Sequence, residues 1–108
     1  MTLPNLAATG LPAELRQRLL NIVAQRLGGR HYRLYLFGSR ARGTATVRSD
    51  YDLGVQTEAP LDLATLAHIR GDLEELPILQ RVEFVDFSSA TPDFMHRALQ
   101  NSELLDEH

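Results

Sequence analysis

The chain has no cysteine and no lysine among its 108 residues. Without cysteine there are no disulfides, no thiolate nucleophile and no cysteine metal site. A reducing cytoplasm is the expected compartment. All eleven basic residues are arginine, which excludes a Schiff-base lysine, a lysine nucleophile and the phosphate-binding lysine of a P-loop. No apolar run approaches the ~18–20 residues needed to cross a bilayer, so no membrane association is expected. Met1 to Gly10 lacks the basic and apolar regions of a signal peptide and reads as a polar, partly mobile lead. The four histidines at 31, 68, 96 and 108 are scattered without ligand spacing, which argues against zinc.

What is present fits one domain over residues 1–108, 44% hydrophobic, with a modest core. The net charge is −3, but residues 30–48 hold five arginines and no carboxylate, and acids dominate from Asp50 onward. An acidic chain is a poor general nucleic-acid binder. A local arginine cluster suits a small anion such as a nucleoside triphosphate.

Apolar periodicity predicts a helix after Pro12 that carries Leu15, Leu19, Ile22 and Val23 and stops at Gly28-Gly29. Strands are predicted over 31–37, 51–57 and 81–87. A helix over 61–76, N-capped by Asp62 and ended by Pro77, would bury Leu63, Leu66, Ile69, Leu73 and Leu76. Thr91-Pro92 would open a last helix with Phe94, Met95, Ala98 and Leu99 inward, and residues 103–108 would fray. The strand–helix–strand crossover predicts parallel pairing of the second and third strands, and the short connection predicts antiparallel pairing of the first two. The expected fold class is α+β: a small mixed β-sheet with helices packed mainly on one face.

Asp50 and Asp52 stand two apart at a strand start. Their Cα atoms would lie roughly 6.6 Å apart on one face, where hard carboxylate oxygens suit Mg²⁺ or Mn²⁺. Gly38-Ser39 directly follows a strand, so the backbone can turn sharply and present N–H groups and a hydroxyl to phosphate oxygens. Arg40 and Arg42 are close enough in sequence to add charge. Each feature alone has an ordinary explanation, as a solvated strand start or a glycine turn. The combination "FGSRARG…SDYDLGV", with ten residues between Ser39 and Asp50 and "RVEFVDF" further on, is more specific.

That combination resembles the minimal nucleotidyltransferases (MNT) of the polymerase-β-like superfamily, over most of the chain from about Leu15 to Leu105. The resemblance implies Gly38 and Ser39, with Arg40 and Arg42, as the nucleotide-binding turn. It implies Asp50, Asp52 and a third carboxylate as catalytic, metal-holding residues. Glu83 falls at the third position, where the family usually has aspartate, and Asp86 at a later position suited to a cap or turn. Glutamate keeps the charge but adds a methylene, and a misplacement of about an ångström can cost on the order of 10²-fold in rate. Glu83 paired to Arg81 is the structural alternative.

The activity implied is an antitoxin's transfer of AMP from Mg-ATP, by a two-metal mechanism, to a tyrosine hydroxyl of a partner HEPN-domain toxin. The alternative is a catalytically weak or inactive module that neutralises its partner by complex formation. One small domain leaves the acceptor to be presented by a partner, so a hetero-oligomer or homo-oligomer is expected.

Overall fold

The computed structural model describes residues 10–108; the expectation for the polar lead falls outside them except at Gly10. Among these residues the order is α1 (Ala13–Leu27), β1 (Tyr32–Phe37), α2 (Ser39–Arg42), β2 (Tyr51–Thr57), α3 (Leu63–Glu74), β3 (Val82–Asp86), a 3₁₀ turn (Phe87–Ser89), α4 (Pro92–Gln100) and β4 (Glu103–Glu107). The sheet order is β3-β2-β1-β4. β2 pairs parallel with β3, and β1 pairs antiparallel with both β2 and β4. The small mixed sheet is as expected, with one more strand. No described helix is long and apolar enough to cross a membrane.

Alternation along the strands sends Tyr32, Leu34, Leu36, Tyr51, Leu53, Val55 and Phe84 to one face, all buried. Leu15, Leu19, Val23 and Leu27 of α1, with Ile69 and Leu73 of α3, close over them. Each fully buried leucine or valine contributes about 1.5–3 kcal/mol, so this face carries most of the stability. The opposite face bears Tyr35, Phe37, Asp52, Gly54 and Glu83. Phe87 covers Gly54 so closely that a side-chain carbon at 54 would overlap the ring. Phe94 of α4 meets Phe37 edge-on, with ring centroids 6.0 Å apart. Thus α1 and α3 share one face, while α4 covers part of the other.

Three expectations are corrected. Residues 103–108 do not fray, because residues 103–107 form β4 on the edge of the sheet. Leu105 is buried, and Arg16 pairs with Glu103 at 3.0 Å while Arg33 pairs with Glu107 at 2.7 Å. An acidic segment has low strand propensity, and these long-range arginines are what the local sequence does not reveal. Leu63 is 83% exposed, and Leu61 is buried in its place, its N–H held by Asp86 just before the helix begins. Phe94, Met95, Ala98 and Leu99 turn inward only in part; no residue of α4 is fully buried.

Candidate active site

β1 ends at Phe37, and Gly38 turns the chain with φ 75° and ψ −157°, a conformation open to glycine and strained for other residues. The Gly38 carbonyl accepts the N–H groups of Ala41 (3.1 Å) and Arg42 (3.0 Å), closing the single turn of α2. Gly43, left-handed at φ 80°, ends it. Ser39 is half-buried, and its hydroxyl makes no hydrogen bond among the described residues.

The two arginines of this turn part company. Arg40 is 3% exposed. Its guanidinium donates to the carbonyls of Ser49 (2.9 Å) and Val47 (3.2 Å) and lies 4.2 Å over the Tyr51 ring. The expectation that Arg40 adds charge to a phosphate site is therefore corrected: it clamps the loop leading to Asp50 onto the core. Burial made that worthwhile, since a desolvated guanidinium needs carbonyl and aromatic partners. Arg42 is exposed and has no ion pair among the described residues. Arg48 is exposed.

Asp52 lies beside this turn. It is in register with Phe37 on one side and Glu83 on the other. Its carboxylate packs against Gly38 so tightly that a side-chain carbon at 38 would overlap Asp52 Oδ2. Gly38 is thus required twice, for its backbone angle and for the room it leaves. The Asp52 pKa is raised, first by burial, then by the charges of Asp50 and Glu83, with Arg42 opposing. Asp50 is exposed one residue before β2 starts, at the mouth of the strand rather than within it.

Glu83 and Asp86 point to opposite faces. Asp86 is buried on the core side, accepting hydrogen bonds from Leu61 N–H (2.8 Å), Ser88 N–H (3.0 Å) and Ser89 Oγ–H (3.0 Å). This is a cap that ties the end of β3 to the start of α3. Glu83 is open on the Asp52 face, with only a loose approach of Arg81 at 3.9 Å. Among the described residues, no three acidic or histidine side chains stand close enough to form a ready-made metal cluster. As a donor set the acids nonetheless suit a divalent cation: they are hard oxygens, and Asp52 carries a charge strain that a cation would relieve. Tyr32 is buried; burial and then Asp106 push its hydroxyl up to about 12.

One part of this region escaped the sequence motifs. α4 sets Phe94, Arg97, Ala98 and Asn101 opposite Phe37, Gly38 and Arg42 around a cleft of about 230 Å³. The spacing 94, 97, 98, 101 marks one helix face; attention to the apolar residues alone selects a neighbouring face.

The sequence profile described as Polymerase beta, Nucleotidyltransferase matches residues 32–108, a span that contains the turn, both aspartates and Glu83. The chain belongs to this family. It is 33% identical over 63 residues to the probable protein adenylyltransferase MntA of Haemophilus influenzae. That match takes in 58% of this chain and 55% of the relative, so the chain spans about half the relative's length. Solved structures share the fold. One is a mutant of the toxin–antitoxin MntA-HpeT, with TM-score 0.70 and 17% identity, covering 86% of this chain and 73% of that one. Another is a toxin–antitoxin with AMP-PNP, with TM-score 0.68 and 22% identity, covering 85% and 73%. A third is a tri-AMPylated Shewanella oneidensis HEPN toxin in complex with MNT antitoxin, with TM-score 0.65 and 18% identity, covering 86% and 70%.

Proposed function

We propose that this nucleotidyltransferase transfers AMP from Mg-ATP to a tyrosine hydroxyl of a partner HEPN-domain protein and thereby acts as an antitoxin. The observation that carries the reading is the position of Asp52, pressed against the Gly38 turn and level with Glu83. A glycine turn of the kind that can receive phosphate thus stands beside two carboxylates, and this juxtaposition supports the reading. The kinship with MntA supports the choice of adenylate and of a protein acceptor.

In this reading the turn at Gly38 and Ser39 receives the triphosphate, and Arg42 neutralises part of its charge. The tyrosine oxygen bonds to the α-phosphorus as the bond to pyrophosphate breaks. Glu83, open to solvent on the same face, takes the phenolic proton. Asp50, Asp52 and Glu83 would hold a pair of Mg²⁺ or Mn²⁺ ions, which supply charge neutralisation for the leaving group and acidify the attacking hydroxyl. Positioning and charge compensation supply most of such catalysis.

A second reading rests on the open spread of the acids, with no closed three-ligand cluster among the described residues. In it, the chain neutralises its partner by binding alone. One experiment separates the two. The HEPN partner is incubated with this chain and Mg-ATP, and intact mass is measured. The transfer reading expects the mass of AMP on a partner tyrosine and its loss with Asp50→Asn or Asp52→Asn. An unmodified partner that is still neutralised by the double variant supports binding alone.

A further inference from the structure

Among the described residues, Val47, Leu63, Leu79 and Leu104 are large apolar side chains left in water. Leu63 opens α3 and Leu104 lies on β4. Val47 and Leu79 sit on the two loops that lead into β2 and β3, and those loops are joined. Gln80 Nε2 donates to the Val47 carbonyl at 2.7 Å, and the Tyr51 N–H donates to the Arg81 carbonyl at 2.9 Å. Leu79 is 101% exposed and Val47 63%. One such side chain on a surface is ordinary. Two on loops tied to each other make a patch.

The turn that carries Val47 is fixed. The Thr46 N–H donates to Ser49 Oγ at 2.9 Å, and the Ser49 N–H donates to the Thr46 carbonyl at 3.1 Å. Arg40 holds the Val47 carbonyl from the core side at 3.2 Å. The backbone at Val47 is thus satisfied by Arg40 and Gln80 while the side chain stays uncovered. A surface held ready in this way loses little freedom on binding.

Its position and chemistry indicate the occupant. Val47 comes three residues before Asp50, and Leu79 four before Glu83. A body seated on both reaches the end of the sheet where those carboxylates stand. Aliphatic side chains give a phosphate chain nothing to bind, so the occupant carries apolar groups of its own. Arg48 is exposed and has no ion pair among the described residues, and Arg81 is exposed with only its loose approach to Glu83. The nearby acids Asp50 and Glu83 belong to the site, so the charge left on the rim of the patch is basic. An apolar centre with a basic rim fits a protein surface that offers an aliphatic pocket beside carboxylates.

We propose that Val47 and Leu79 are the docking surface for the acceptor protein, with Arg48 and Arg81 meeting carboxylates on its rim. The proposal rests on the protein-acceptor reading above and adds the surface that presents the acceptor. Val47 and Leu79 touch neither the Gly38 turn nor the reacting groups, so they set affinity for the acceptor rather than for ATP or the chemical step.

The test is steady-state AMP transfer, with calorimetric binding, using the intact HEPN partner. The double variant Val47→Ser, Leu79→Ser is expected to raise KM for the partner and weaken its binding by about tenfold or more, with kcat and Mg-ATP affinity unchanged. Its urea midpoint should match the parent's. Arg48→Glu gives an independent reading: it should weaken the partner at low salt, and the difference should shrink as salt rises. Leu63→Ser, an exposed apolar residue at the other end of β3 near Asp86, should behave like the parent. If the parent does not bind the partner, the acceptor reading and the docking surface fall together. If the parent binds without transfer, calorimetry alone decides the surface. Parental affinity and KM in the double variant overturn the surface and leave the acceptor reading standing. A lower kcat at saturating partner, or weaker Mg-ATP binding, assigns the two residues to the geometry of the site and also overturns it. So does a self-dimer that the double variant abolishes while partner binding is unchanged, since the surface then belongs to a second copy.

Discussion

The two faces of the sheet use the same residue types for opposite purposes. On the α1/α3 face Arg40 and Asp86 are buried and hydrogen-bonded to backbone groups. On the other face Arg42 and Glu83 are exposed, and Asp52 is half-buried among like charges. Arg40 and Arg42 are two residues apart, and Glu83 and Asp86 three. On the core side a charge is a fastener, because desolvation makes an unmet bond expensive. On the open side Arg42 has no ion pair among the described residues and Glu83 only a loose approach from Arg81, so both can turn to a ligand. Stability and function are therefore separable by face, and substitutions can test this.

The largest effect on stability is expected at Asp86. Asp86→Ala strands the buried Leu61 N–H and should cost about 3 kcal/mol. Glu83→Ala should stay within about 0.5 kcal/mol while lowering AMP transfer on the order of 10²-fold or more. Urea unfolding beside a transfer assay reads both, and equal stability losses would erase the contrast. Next, Arg40→Ala should cost about 2–3 kcal/mol by freeing the carbonyls of Val47 and Ser49. Arg42→Ala should leave unfolding nearly unchanged and weaken triphosphate binding about tenfold.

Gly38→Ala joins the faces. Its strained φ and the overlap with Asp52 should cost about 1–3 kcal/mol and impair transfer together. A variant with parental stability and activity would show that the Asp52 contact is dispensable.

The smallest effect has the opposite sign. Asp52 has a raised pKa in the fold, so the folded state holds its proton more tightly than the unfolded chain does. Its contribution to stability is thus lost as pH rises above the ordinary carboxylate value, and the ionised group is a liability at neutral pH. Asp52→Asn should raise the melting temperature at pH 7 by about 2 °C without divalent cations. The gain should vanish near pH 3 and shrink when Mg²⁺ stabilises the parent. A variant that melts lower at pH 7 would contradict the like-charge account.

Much of this was legible in the sequence because it is local. Helix stops at Gly28-Gly29, strand alternation at residues 51–57 and the N-cap at Thr91 all act within a few residues, and Thr91 does accept the Phe94 N–H at 3.2 Å. β4 was not legible, since it is held by pairing with β1 and by burial of Leu105, with Arg16 and Arg33 reaching it from more than seventy residues away. Nor was the burial of Arg40, which depends on Tyr51 and the loop folding back over it.

The sequence by itself determined the turn at Gly38, the spacing of the carboxylates and the family, because glycine torsions and strand period are properties of short segments. Only the tertiary structure decided which charges face the core and which face the site. It placed Arg40 and Asp86 among buried backbone groups, Asp52 against Gly38, and Arg97 across from Arg42. Those assignments follow from which surfaces the sheet and helices remove from water, and no short segment carries that information.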